Sequence, residues 1–266
     1  MAIKDHNGSG EDMPEVTVQG LVHKAAELSA HEVTDAELAA INKYALTKMT
    51  AEEVFTFKAV LCDNEVDRQF ERFTIKALED LKKLFLGKTV IKNHSWDAND
   101  QVARIYATEL QQTGKSTKTG ELYTQLVAHC YMVKTASNAD LIAEIKGGIK
   151  KEGSVGMRTS GAICSICGTD NAKSYCRHWP GKSYEKEDGA QVCIFTLTGA
   201  KDAYEFSLVA VPAQKAAGVC KCYNGELVRE KDLSEEPETA TDKTADVETV
   251  LRARMARTRA KNNENY

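Results

Sequence analysis

The fold is decided by one stretch of the chain, YEFSLVAVPA at residues 204–213. Aromatic and β-branched residues are frequent in it, and this composition predicts a strand over residues 204–211. Glu205 lies within that strand, where a carboxylate could orient an imidazole. Ser207 follows two positions later, and we expect it to be an ordinary strand residue.

Two earlier stretches carry the histidine and the serine that could act together with such a carboxylate. GKTVIKNHSWD at residues 87–97 places His94 directly after a short strand, a rigid edge from which a side chain can be aimed. KEGSVGM at residues 151–157 places Ser154 between two glycines, so the backbone can approach closely on both sides. Serine, histidine and an acid supply the nucleophile, base and orienting group of a hydrolase, although composition alone does not select these three residues.

The bulk composition is that of an ordinary globular protein. The chain has 266 residues, of which 42% are hydrophobic and 28% are charged, and its net charge is −4. This charge gives no reason to expect nucleic-acid binding. No run approaches the ~18 apolar residues of a membrane span, and the N-terminal residues lack an apolar signal-peptide core. We therefore expect an intracellular protein without a membrane partner.

Three zones follow along the chain. Residues 1–52 are predicted to form a polar helical arm, with capping boxes at Thr34 and Thr50. Residues 226–266 are predicted to form a disordered acidic linker and a basic C-terminal helix. Residues 53–225 form the folded body, in which mixed α and β elements are predicted and strands outnumber helices. The predicted strands are 54–61, 89–91, 102–110, 122–132, 191–198 and 204–211, and the predicted helices are 74–85 and 139–145, the second capped by Asn138.

The eight cysteines are unevenly placed. Cys62 and Cys130 are isolated in apolar stretches and are predicted to be buried thiols. An insert at about residues 162–190 carries Cys164, Cys167, Cys176 and His178. Thiolate and imidazole ligands at this spacing favour Zn²⁺ in a structural role, because four protein ligands leave no position for water. The alternatives are buried or redox-active thiols, and three further cysteines could substitute as ligands: Cys193, Cys220 and Cys222.

Taken in order, these segments resemble the prohead proteases of tailed bacteriophages, which are related in fold to the herpesvirus assemblins. The resemblance covers about residues 54–219 without the cysteine insert, and the SLVAVPA strand after the SVG segment is its most specific part. The matching positions are Asp63, Asp67, Arg68 and Glu71, then Asn93-His94, then Ser154-Val155-Gly156, and then Glu205 to Ala213.

The resemblance implies an α+β fold, with a mostly antiparallel, barrel-like protease core, flanking helices and the zinc-binding insert. It implies that His94 is the base and Ser154 the nucleophile. Glu205 matches the third position, with Asp97 and Asp202 as alternatives. In assemblins this member is a second histidine, but neither His129 nor His178 lies in a matching segment. The backbone around Gly156, Met157 and Arg158 would form the oxyanion hole.

The function that the resemblance implies is capsid maturation. Such an enzyme works in the host cytoplasm inside the procapsid and cleaves scaffolding and major capsid proteins and itself, with no cofactor for catalysis. Homo-oligomerisation is left open. One alternative is an inactive structural head protein that retains the fold. Another is a zinc-ribbon nucleic-acid binder, which the weakly basic insert disfavours.

Overall fold

The structure is a computed structural model, and it describes residues 33–187, 189–223 and 226–228. The first 32 residues of the predicted arm lie outside the described residues, as do the predicted acidic linker and basic helix beyond residue 228. The chain divides into two units, residues 1–226 and 227–266, and all the sites discussed below lie in the first.

The described residues form three α-helices and twelve strands. The helices are α1 (Asp35–Ile41), α2 (Ile75–Leu84) and α3 (Ala139–Lys146). The strands are β1 (Val54–Asp63), β2 (Glu71–Phe73), β3 (Thr89–Lys92), β4 (Ala103–Ser116), β5 (Leu122–Val133), β6 (Gly153–Cys164), β7 (Ser183–Lys186), β8 (Gly189–Val192), β9 (Phe195–Leu208), β10 (Gly218–Val219), β11 (Lys221–Tyr223) and β12 (Glu226–Val228).

One large sheet has the strand order β10-β1-β5-β4-β3-β9-β2, and β6 pairs with β9 outside this path. Its neighbours are antiparallel, except that β2 and β3 both run parallel to β9. The predicted mixed α+β, strand-rich class is confirmed. The predicted barrel is not, because the sheet is open: among the described residues, only an isolated bridge between Glu152 and Gly218 joins the β6 side to β10. A barrel needs a continuous ladder at that seam.

Helix α2 covers the sheet and forms the centre of the core. Thr74 begins it, since its hydroxyl accepts a hydrogen bond from Ala77 N at 3.1 Å. Leu78, Leu81 and Phe85 are fully buried in the main apolar cluster. Each such side chain contributes about 1.5–3 kcal/mol through burial, so this face anchors the helix on the sheet. The same cluster includes Cys62 and Cys130, as predicted for buried thiols.

Helix α1 forms a second, smaller apolar cluster. The predicted capping box at Thr34 is present, with Glu37 N donating to Thr34 Oγ1 and Thr34 N donating to Glu37 Oε2. Ile41 is fully buried against Val54, Tyr106 and Tyr131. Residues 35–41 therefore pack on the strands of the body.

The predicted cap at Thr50 is wrong, and Asn138 lies at the predicted N-cap position of α3 but makes no side-chain capping hydrogen bond. Thr50 and Glu53 form a turn that leads straight into β1, with no helix, because the strand pattern from Val54 onward dominates. The side chain of Asn138 does not cap α3. It accepts from Thr135 N and donates to Val133 O, so it closes the preceding turn instead.

The two strands predicted over residues 191–198 and 204–211 are divided differently. Phe195–Leu208 is one continuous strand, and the residues just before it belong to a separate hairpin, β7-β8. Gly199 lies inside β9 with a φ of 59°, close to a register shift against β6. Lys201 and Tyr204 have no partner in the β6–β9 ladder, so β9 bulges at these two positions and continues rather than breaking.

Candidate active site and metal centre

His94 is presented by a tight turn after β3. Asn93 and His94 have φ angles of 53° and 54°, and Ser95 N donates to Lys92 O at 2.9 Å to close the turn. A left-handed backbone costs a non-glycine residue about 1–2 kcal/mol, so surrounding contacts must hold this turn. The turn directs the imidazole back over β9, the parallel neighbour of β3.

The imidazole of His94 meets the carboxylate of Glu205. His94 Nδ1 lies 2.8 Å from Glu205 Oε1, and the exposed fractions of the two side chains are 43% and 7%. An ionised carboxylate only accepts hydrogen bonds, so Nδ1 carries the hydrogen and donates it. In the neutral imidazole Nε2 is then the unprotonated nitrogen, and the half-exposed ring can offer it to a substrate or nucleophile.

Gly156 makes room for that carboxylate. It is the direct partner of Glu205 in the β6–β9 ladder, and a Cβ atom at Gly156 would lie 2.4 Å from Glu205 Oε1. No real Cβ contact is so short. The glycine of the SVG segment therefore lets the Glu205 side chain lie across the neighbouring strand.

Ser154 lies on the same face of the sheet. Its direct partner on β9 is Ser207, and directly opposite residues of neighbouring strands project to one side. Ser154 is half-buried. Within the described residues, no hydrogen bond joins Ser154 Oγ to His94. Such bonds are often long without substrate and shorten when the substrate binds.

The predicted oxyanion segment lies next to Ser154 on β6. The ladder with β9 shifts register twice here, between Gly156 and Met157 and between Arg158 and Thr159. At both shifts the residue without a ladder partner lies on β9, at Tyr204 and at Lys201, while Gly156, Met157 and Arg158 each pair with a β9 residue. The side chain of Arg158 is exposed to solvent.

The alternative acids and histidines lie elsewhere. Asp97 Oδ1 accepts from Asn99 N, and Asp202 Oδ1 accepts from Ala203 N and lies 3.6 Å from Lys88 Nζ. His129 Nε2 lies 3.0 Å from Glu109 Oε1. Of the predicted acids, the structure thus brings only Glu205 to His94.

Two interactions that support the site could not be recognised from the sequence. Ser207 is fully buried, and its Oγ accepts a hydrogen bond from His94 N at 2.7 Å. Arg68 Nη1 donates to Pro212 O at 2.7 Å, and Arg68 N donates to Ala213 O, so the loop before β2 holds the segment after β9. The only available signal was the alternation of the 204–213 stretch, which puts residues 205 and 207 on one face.

Replacing Gly156 with alanine should displace the Glu205 carboxylate and break its bond to His94. We expect a loss of about 10²-fold in labelling by a fluorophosphonate probe, because small displacements of an orienting group have effects of that size. Ser160→Ala, at an exposed position of the same strand, is the matched control. Equal labelling of both variants would contradict this account of Gly156.

The four predicted metal ligands lie together in the insert. One ligand atom from each of Cys164, Cys167, Cys176 and His178 can be chosen so that all lie within 4.8 Å of one another. A tetrahedral site with metal–sulfur bonds of ~2.3 Å has sulfur–sulfur edges of about 3.8 Å. The cluster could therefore hold a metal ion after a small contraction.

The polar atoms of the cluster fit this role. His178 Nδ1 is buried without a hydrogen-bond partner, and a metal ion would satisfy it. Hydrogen bonding between the Cys167 sulfur and Thr169 lowers the pKa of this thiol to about 6, which favours the thiolate that binds metals. Burial raises the pKa of Cys176.

Of the three substitute cysteines, Cys193 lies at the cluster. Its sulfur is 3.7 Å from that of Cys164, and burial raises its pKa to about 12. Cys220 lies beside β1, where Cys220 N donates to Lys58 O. Cys222 belongs to β11, and its side chain lies outside the described part of the structure.

Comparison with protein-family models, with curated proteins and with solved structures finds no match for this chain. Among the residues that the structure describes, no helix combines the length and the apolar character that crossing a membrane requires.

Proposed function

We propose that the chain is a serine endopeptidase that acts in capsid maturation, with Ser154 as nucleophile, His94 as base and Glu205 as the orienting acid. The observation that carries the proposal is the 2.8 Å bond between His94 Nδ1 and Glu205 Oε1, made on the face of the sheet that also bears Ser154. The segments that carry Ser154, His94 and Glu205 are those by which the sequence resembles the prohead proteases of tailed bacteriophages.

In this mechanism Ser154 Oγ attacks the scissile carbonyl carbon while His94 Nε2 accepts its proton. The buried Glu205 carboxylate holds the ring and stabilises the imidazolium that forms. The developing oxyanion faces backbone N–H groups near Gly156, Met157 and Arg158. His94 then protonates the departing amine, and an acyl ester remains on Ser154. Water, activated by the same imidazole, hydrolyses the ester and restores the serine.

The substrates in this proposal are scaffolding and major capsid proteins and the chain itself, cleaved inside the procapsid in the host cytoplasm. The resemblance supports this assignment. The His94 side chain is partly exposed, so a protein substrate can reach it, as the proposal requires.

The metal of the insert is proposed to be zinc with a structural role. Three thiolates and one imidazole are a donor set that zinc prefers, and the buried Nδ1 of His178 supports ligation at that atom. The metal would fix the insert at one end of the β6–β9 hairpin. Ser154 lies at the opposite end of β6, and the proposal gives the metal no part in catalysis.

One observation favours the second candidate, an inactive head protein that keeps the fold. Ser154 Oγ makes no hydrogen bond to His94 within the described residues. If this gap persists in the working protein, the serine has no base. The two candidates differ in whether Ser154 reacts.

A fluorophosphonate probe tests the proposal directly. The purified full chain should form one covalent adduct, and peptide mapping by mass spectrometry should locate it on Ser154. Heat-unfolded protein is the control for nonspecific labelling. No adduct on the folded protein, or an adduct on another residue, would refute the assignment.

Replacing Glu205 with glutamine should leave the fold intact and reduce the labelling rate by about 10²–10⁴-fold. The amide can donate to His94 Nδ1, which moves the ring hydrogen to Nε2 and removes the base. Asp202→Asn removes a nearby carboxylate without touching His94 and serves as control. A rate within about threefold of wild type would exclude Glu205 from the triad.

A further inference from the structure

Ser207 joins three strands at the candidate site. It is fully buried on β9, with Ile91 of β3 as its partner on one side and Ser154 of β6 on the other. Its Oγ accepts a hydrogen bond of 2.7 Å from the backbone N–H of His94, 113 positions away in the chain. A buried hydroxyl needs a hydrogen-bond partner, and the one recorded for Ser207 is the backbone of the turn that carries His94.

The accepted hydrogen belongs to a strained turn. Both Asn93 and His94 have left-handed φ angles, and neither is the glycine that this conformation favours. Asn93 N is satisfied by Leu208 O at 2.9 Å, so β9 supplies an acceptor for each of the two strained residues. The acceptor for Asn93 is a backbone carbonyl, which side-chain substitution does not remove. The acceptor for His94 is a single hydroxyl.

We propose that Ser207 is a positioning residue of the site: its hydroxyl holds the backbone of His94 in the left-handed turn that delivers Nδ1 to Glu205. The inference rests on the proposed function for its catalytic consequence. The hydrogen bond from His94 N to Ser207 Oγ and its effect on the turn do not depend on that function. Without this acceptor, the turn loses a contact that offsets the backbone strain at His94, and the ring drifts from the carboxylate.

The role differs from that of a structural core residue. A serine that only fills space would, when replaced by alanine, change stability slightly and leave the His94–Glu205 pair in place. A positioning serine changes that pair. Its loss therefore lowers the rate of the chemical step more than it weakens binding of the probe.

The test compares wild type, Ser207→Ala and Ser160→Ala as full chains. Saturation kinetics of fluorophosphonate labelling separate the maximal rate from the probe's binding constant. We expect Ser207→Ala to lower the maximal rate by about 10–100-fold, the size expected for a misplaced catalytic group, and to change the binding constant less than about threefold. Ser160→Ala should match wild type.

A spectroscopic readout tests the geometry without activity. In ¹⁵N-histidine-labelled protein, the Nδ1–H proton of His94 should give a low-field resonance that is lost in Glu205→Gln. We expect Ser207→Ala to weaken or shift this resonance towards that of the Glu205 variant. An unchanged resonance in Ser207→Ala would overturn the proposal, even if labelling fell.

A second substitution keeps the proposal falsifiable if Ser207→Ala is unstable. Asn93→Gly relieves the strain at the other turn residue, so in the Ser207→Ala background it should restore part of the low-field resonance. No recovery in a folded double variant would contradict the strain argument. If folded wild type shows the resonance but does not label, the proposed function fails while the positioning role of Ser207 is still measured.

Discussion

Replacing Ser154 with alanine is expected to abolish both self-cleavage and labelling by a fluorophosphonate. Loss of the nucleophile in a Ser-His-acid enzyme costs about 10⁶-fold in turnover, about as much as loss of the whole triad. Ser154 is half-buried and has no hydrogen bond to His94 within the described residues, so the change should have little effect on stability. Intact-mass spectrometry of the purified chain measures the outcome.

Two controls make this result specific. Ser160→Ala alters an exposed serine of the same strand and should process itself like wild type. Thermal unfolding of all three proteins checks that the fold persists. Continued processing of Ser154→Ala at the wild-type rate would show that another group, or a contaminating enzyme, cuts the chain.

Replacing Cys176 with serine is expected to release the metal and loosen the insert. A hydroxyl is a poor zinc ligand, and loss of a direct ligand should weaken binding by more than the ~10–100-fold that loss of an outer partner costs. Zinc content by elemental mass spectrometry should fall from one per chain towards zero. Limited proteolysis should then cut within residues 165–190, because metal binding contributes to folding free energy.

The matched control is Cys220→Ser, because Cys220 lies outside the four-residue cluster. It should retain its zinc and its protease resistance. Treating wild type with a chelator should reproduce the Cys176 variant. A protein purified without metal whose insert resists protease would argue that the thiols are buried core groups, and the zinc assignment would be wrong.

Local patterns were predictable from the sequence. The helix at Ile75–Leu84, the capping box at Thr34 and most strands of the body follow from residue spacing over one or two turns. The cysteine and histidine spacing also predicted which four side chains cluster, because all four lie within fifteen residues. Patterns of this kind depend on near neighbours, which the sequence displays directly.

Long-range register was not predictable. Glu205 reaches His94 because β3 runs parallel to β9 and Thr89 is aligned with Glu205, a relation between segments 116 positions apart. The bond from His94 N to Ser207 depends on the same register. The open sheet has a similar cause, since a seam between Glu152 and Gly218 is decided by the lengths and twist of distant strands.

The β6–β9 ladder has a consequence for the modular construction of the chain. The last pair of this ladder is Cys164 with Phe195, so residues 165–194 form one long connection between the two strands of a hairpin. Hairpin tips commonly need only two to five residues. A loop of this length costs about 2 kcal/mol more to close than a short one, and a metal ion held by Cys164, Cys167, Cys176 and His178 would offset part of that cost. We therefore expect that residues 165–194 can be replaced by a tight turn between Cys164 and Phe195. The shorter chain would keep Ser154, His94 and Glu205 in their present register.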